Sequence, residues 1–106
     1  MIIELPVRSD VKAYDMQVEL DGVVFTLNFR FNFRMGRWLM DIATAEGIEL
    51  INGVVLLTGV NLNDYLVVEG MPPGVFTCED RTGQNKNAGI EDLGNDVRLL
   101  YLEATA

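Results

Sequence analysis

The segment from residue 14 to residue 34 constrains the fold more than any other part of the chain. Tyr14, Met16, Val18 and Leu20 alternate with Asp15, Gln17 and Glu19, the period of two shown by a strand with one face buried and one wet. Asp21-Gly22 follows, a pair that tolerates positive φ and suits a two-residue hairpin turn. Beyond it Val23, Phe25, Leu27, Phe29, Phe31 and Phe33 alternate with Val24, Thr26, Asn28, Arg30, Asn32 and Arg34. On a helix those apolar residues would be spread around the whole cylinder. Residues 14–20 and 23–33 are therefore read as an antiparallel hairpin, with Phe25, Leu27, Phe29 and Trp38 in the core. A strand of roughly 11 residues reaches about 36 Å, well beyond the usual length of about 5–6 residues, which predicts a bend or a projection past the sheet. Met35-Gly36 reads as a second turn, after which Trp38, Met40 and Ile42 alternate with Arg37, Leu39 and Asp41 to complete a three-stranded meander.

The remainder reads as further short strands. Ala45-Glu46-Gly47 is a turn, and 48–57 is almost continuously apolar around Asn52-Gly53, as expected of a strand buried on both sides or interrupted by a bulge. Residues 61–66 are the one candidate for a short helix, capped by Asn61 or Asn63. Met71-Pro72-Pro73-Gly74 marks a rigid turn before a short strand over 75–79. Residues 80–92, with Gly83, Gln84, Asn85, Lys86, Asn87 and Gly89, lack an apolar period and read as a long exposed loop. The final strand, 97–102, is apolar on both faces, which places it centrally or against another subunit. Regular spacing of strands and turns predicts an all-β fold, a small antiparallel β-barrel or sandwich with a long N-terminal hairpin or meander and at most one short helix. With 106 residues, residues 1–106 form a single domain large enough for one core.

Charge and residue usage narrow the chemistry. The net charge is −8, from 16 acidic and 8 basic residues, a field that repels nucleic acid and anionic membrane surfaces and argues against either as a partner. The start of the chain has no basic n-region followed by a long apolar run, and no stretch approaches the roughly 18 apolar residues of a membrane span; the expectation is a soluble protein that is not exported by a signal peptide. One cysteine, Cys78, cannot form an intrachain disulfide and suits a reducing compartment. The complete lack of histidine removes Ser-His and Cys-His nucleophile activation, His-ligated zinc and imidazole acid-base catalysis. The reading is a protein that is not an enzyme and carries no cofactor or metal.

Each candidate for chemistry has a plainer explanation. Cys78 is followed by Glu79 and Asp80, which raise a thiol pKa rather than lower it, so a structural cysteine is favoured over a nucleophile. Glu79-Asp80 and Glu91-Asp92 could pair across the 80–92 loop as an acid-base or calcium cluster, yet their spacing matches no calcium loop and acidic loop edges are ordinarily solvated. The 83–89 stretch has the glycines and lysine of a phosphate loop without its Gly-Lys-Ser/Thr ending or a following helix. Arg30, Arg34 and Arg37 interleave with Phe29, Phe31, Phe33 and Trp38 like a nucleic-acid-binding strand, but alternation puts the rings on one face and most of the arginines on the other. A basic rim on an acidic molecule suits docking against an acidic neighbour, and the three arginines are the candidate docking residues, weighed against an ordinary solvated edge.

In order and spacing these pieces resemble a known family. The residues that carry the resemblance are Ile3-Glu4-Leu5-Pro6, the hairpin from Val18 through Asp21-Gly22 to Leu27, and Arg34-Met35-Gly36-Arg37-Trp38-Leu39-Met40-Asp41-Ile42. They continue with Gly53-Val54-Val55-Leu56-Leu57-Thr58-Gly59-Val60-Asn61-Leu62 and close with Asp92-Leu93-Gly94-Asn95-Asp96-Val97-Arg98-Leu99-Leu100-Tyr101. This pattern resembles the baseplate plug proteins of contractile-tailed phages; the 80–91 loop is outside it. The resemblance implies a structural virion protein of the tail baseplate, assembled in the host cytoplasm, present in several copies, contacting hub and tail-tube proteins and using no cofactor. Rigid strands with edges and loops free to pair agree with that role. The alternatives are a small β-barrel module that binds a ligand or peptide at its mouth, and a tail-tube initiator or terminator-like ring protein.

Overall fold

The alternating segments become the larger of two sheets. The computed structural model describes residues 2–62 and 70–104. Among them are seven strands and no helix: β1 (Ile2–Glu4), β2 (Ala13–Leu20), β3 (Val23–Asn32), β4 (Arg37–Thr44), β5 (Glu49–Val55), β6 (Val75–Asp80) and β7 (Val97–Leu102). Most of the short helix expected over 61–66 falls outside the described residues.

Sheet order is β2-β3-β4-β5 in one sheet and β1-β7-β6 in the other, with every neighbouring pair antiparallel. In β2–β3, Leu20 faces Val23 and Tyr14 faces Phe29. Asp21 and Gly22 both take positive φ, 52° and 82°, the backbone of a turn whose twist matches the strands it joins. Phe25, Leu27, Phe29, Trp38, Met40 and Ile42 from this sheet meet Phe76, Cys78, Val97, Leu99 and Tyr101 from the other in one core. The expected core residues are thus inside, and the choice between barrel and sandwich resolves as an open two-sheet sandwich.

Three expectations need correction. β3 ends at Asn32, so Phe33 and Arg34 belong to a turn that runs from Phe33 to Gly36 rather than to the strand. The 48–57 segment is not buried on both sides: β5 is an edge strand with register shifts against β4 and Gly53 at φ 76°, which is the bulged alternative. Asp41 holds that bulge by accepting from the Gly53 amide at 2.7 Å. A strand at the N-terminus was not anticipated, yet β1 pairs with β7 and makes β7 the central strand of its sheet.

A polar link joins the two sheets. The Tyr101 hydroxyl donates to Asp21 Oδ2 at 2.6 Å and accepts from the Gly74 amide at 2.7 Å, fixing the β2–β3 turn to the central strand of the other sheet. Burial, and then the neighbouring Asp21 carboxylate, push the Tyr101 phenol up. Gly74 is required for this approach, because a Cβ there would sit 2.2 Å from the Leu102 carbonyl oxygen.

Candidate docking surface

The β3–β4 turn is built by one asparagine. Asn32 Oδ1 accepts from the amides of Arg34 and Met35, both at 3.0 Å, and the Asn32 carbonyl accepts from the Gly36 amide at 2.8 Å. Such side-chain capture of successive amides is how Asn starts turns, and Gly36 completes it at φ 67°. With the backbone satisfied locally, the side chains point outward. Phe33 is 69% exposed and Met35 51%; Phe33 touches only the rim of the aromatic row, edge-on to Phe31 at 5.0 Å.

The three candidate arginines do not share one environment. Arg30 lies on β3 and its guanidinium is ion-paired with Asp41 on β4. Arg34 is exposed in the turn, and Arg37, half-buried at the start of β4, donates to the Gly36 carbonyl at 3.0 Å. Arg8, Lys12, Arg30, Arg81, Lys86 and Arg98 each have a carboxylate partner. Among the described residues, Arg34 and Arg37 are the basic residues with no ion pair. Sequence reading found the charges but missed Phe33 and Met35 as exposed companions. The signal was Asn32 placed four residues ahead of Gly36.

The other candidates are used internally. Cys78 is buried on β6, and burial pushes its thiol up to about 12, far from the thiolate a nucleophile needs. The four carboxylates are each engaged within the protein: Glu79 pairs with Arg98, Glu91 with Lys12, Asp92 with the Gly89 amide and Lys86, and Asp80 with its own loop, Lys86 included. No group of three or more possible ligands among the described residues is arranged to hold a metal.

The 80–92 loop is exposed over 81–85 and at 90–91, as its composition predicts, but it is tied to the body of the protein. Asp80 is buried and accepts from the amides of Thr82 at 2.9 Å, Gln84 at 3.1 Å and Lys86 at 3.0 Å, and from the Thr82 hydroxyl. Burial acts to raise the Asp80 pKa, but donation from Lys86 and Thr82 and the Lys86 charge outweigh it and bring it to about 2. The amides that would cradle a phosphate are spent on the protein's own carboxylate. Further along, the Trp38 indole N–H donates to the Gly89 carbonyl at 2.9 Å, Asn87 accepts from the Thr58 amide at 2.8 Å, and Ala88 is fully buried.

The fold and its surface thus define a small two-sheet β protein whose positive charge left unpaired among the described residues is concentrated, with exposed apolar side chains, at one hairpin turn. The family model of the cyanophage baseplate Pam3 plug gp18 matches residues 2–104, nearly the whole chain, and the protein belongs to that family. It is a structural virion protein of the tail baseplate. No curated protein matches it.

Proposed function

We propose that this chain acts as the plug of a contractile-tail baseplate by docking the β3–β4 turn against acidic surfaces of hub and tail-tube proteins, without catalysis and without a cofactor. The observation that carries this reading is the pairing pattern of the cations. On a protein of net charge −8, every other basic residue is neutralised within the fold, whereas Arg34 and Arg37 have no ion pair among the described residues and stand beside exposed Phe33 and Met35. Arginine beside apolar and aromatic groups is the composition of interface centres. The charge pair sets orientation and encounter rate, and the apolar pair supplies contact area. Arg30, held by Asp41, supports the turn from the sheet.

The test is an Arg34→Glu, Arg37→Glu double variant made in the phage. The isolated protein keeps its stability to within about 0.5 kcal/mol, as surface changes ordinarily do, while purified tails lack it. Tails that contain the variant at normal abundance would contradict the proposal.

A further inference from the structure

We propose that the outer edge of β2 is a second docking site, which takes up an extended segment of another protein whose cationic and apolar residues alternate. A two-sheet sandwich has four sheet edges, and edges left open invite pairing with other chains. Three of them are closed here by ordinary means. β1 is only three residues long. β5 is broken by register shifts and by Gly53. β6 is covered by the segment before it, the Gly59 amide donating to the Cys78 carbonyl and the Leu62 amide to the Phe76 carbonyl. β2 is different. It is eight residues long and terminal in its sheet, its pairing with β3 is regular throughout, and it contains no proline, glycine or lysine.

The register shows which backbone groups are open. The Phe31 amide donates to the Lys12 carbonyl, and this phase makes Tyr14, Met16, Val18 and Leu20 the residues bonded to β3. The amides and carbonyls of Ala13, Asp15, Gln17 and Glu19 therefore point away from the sheet, and none of them has a backbone partner among the described residues. Their side chains are exposed, whereas Tyr14, Met16 and Val18 are half-buried and lean on the core. An added strand would complete the cover of that half-buried row.

The charges select the occupant. An added strand places one row of side chains beside Asp15 and Glu19, where cations are favoured, and the other beside Tyr14, Met16 and Val18, where apolar groups are favoured. A second copy of β2 does not fit. The self-pairing registers that keep both apolar rows on one side put Asp15 opposite Glu19 or diagonal to it, and like charges so placed repel. This surface is separate from the β3–β4 turn, so the inference stands or falls independently of that docking reading.

The experiment uses the full chain with two synthetic eight-residue peptides, one alternating Lys with Val and one alternating Glu with Val, and follows amide exchange by NMR. The Lys-Val peptide is expected to slow exchange at Asp15, Gln17 and Glu19 by about tenfold or more, and the Glu-Val peptide to leave it unchanged. Gln17→Pro removes the central outward donor at a position where an edge strand tolerates proline, and abolishes that protection. An Asp15→Lys, Glu19→Lys double variant keeps the backbone donors and transfers the effect to the Glu-Val peptide. The inference is overturned if neither peptide protects these amides, if both do so equally, or if protection falls on β1 or β5. Protection that rises with protein concentration in the absence of peptide also overturns it, in favour of self-pairing.

Discussion

Residues 33–36 and 81–96 both connect neighbouring antiparallel strands, β3 to β4 and β6 to β7, yet they are held in different ways. The first, with a phenylalanine and a methionine in four residues, leaves those side chains in solvent. The second, dominated at its start by Arg, Thr, Gly, Gln, Asn and Lys, is tied to the body of the protein by Asp80, Trp38 and Thr58. The difference lies in where the backbone bonds go. Asn32 satisfies the short turn from within and gives its side chains nothing to pack against. The long loop must find partners for many more backbone groups, and it finds them partly within itself and partly on the buried side chains of Asp80 and Trp38. The contrast teaches that a turn which satisfies its own backbone can leave apolar side chains in solvent, whereas a polar loop can be part of the frame.

Breaking the anchor of the long loop has the largest expected effect. Trp38 is fully buried, packs edge-on to Phe31 and Tyr14, and holds Gly89. Trp38→Ala should cost about 3–5 kcal/mol by chemical denaturation, the range for large aromatic truncations in cores. Trp38→Phe keeps most of the ring and loses the N–H, and should cost about 1–3 kcal/mol by leaving the Gly89 carbonyl unpaired. A loss below that range would mean that the loop is not held through Trp38.

Asp80 sharpens the same side of the comparison through pH. Its folded pKa of about 2 lies below the unfolded aspartate value of about 3.9. The ionised form is therefore favoured by folding. The stability it contributes is present above about pH 4 and is lost as pH falls through about 2. Asp80→Asn should be less stable than the native protein at neutral pH and should show a shallower loss between pH 4 and 2. Asp10, brought to about 2 chiefly by its hydrogen bond from Arg8, titrates in the same window in both proteins, so the difference between them isolates Asp80. Parallel acid-denaturation curves would show that Asp80 does not organise the loop.

The turn lies at the other extreme. Phe33→Ser with Met35→Ser should leave stability within about 0.5 kcal/mol of the native value while reducing incorporation into tails. Marked destabilisation would mean that these side chains serve the fold rather than a neighbour.

Much of the larger sheet was legible because alternation over 14–32 and Asp21-Gly22 are local signals, and each fixes a face or a turn without reference to the rest of the chain. The same alternation misled at Phe33, since a pattern of two carries on into a turn whenever the next residues happen to fit. Only the Asn32 side chain marks the stop. β1 was invisible: three residues carry no period, and their pairing with Leu100 to Leu102 joins opposite ends of the chain. The exposure of the 80–92 loop was legible in its composition, but its anchors were not, because Asp80 and Gly89 gain their meaning from Lys86 and from Trp38, and no local pattern reports those contacts. At the candidate surface, Arg34 and Arg37 could be named from sequence, but the separation of Arg30 from them depended on the cross-strand position of Asp41.

On the proposed docking mode the β3–β4 turn, and not the 80–92 loop, meets a neighbouring baseplate protein. Site-specific photo-crosslinking in assembled tails tests it most directly, with the reactive group at position 33 in one preparation and at position 84, exposed in the loop, in another. Docking through the turn gives a crosslink from position 33 to an acidic surface of a hub or tube protein and none from position 84; crosslinks from 84 with none from 33 would contradict it.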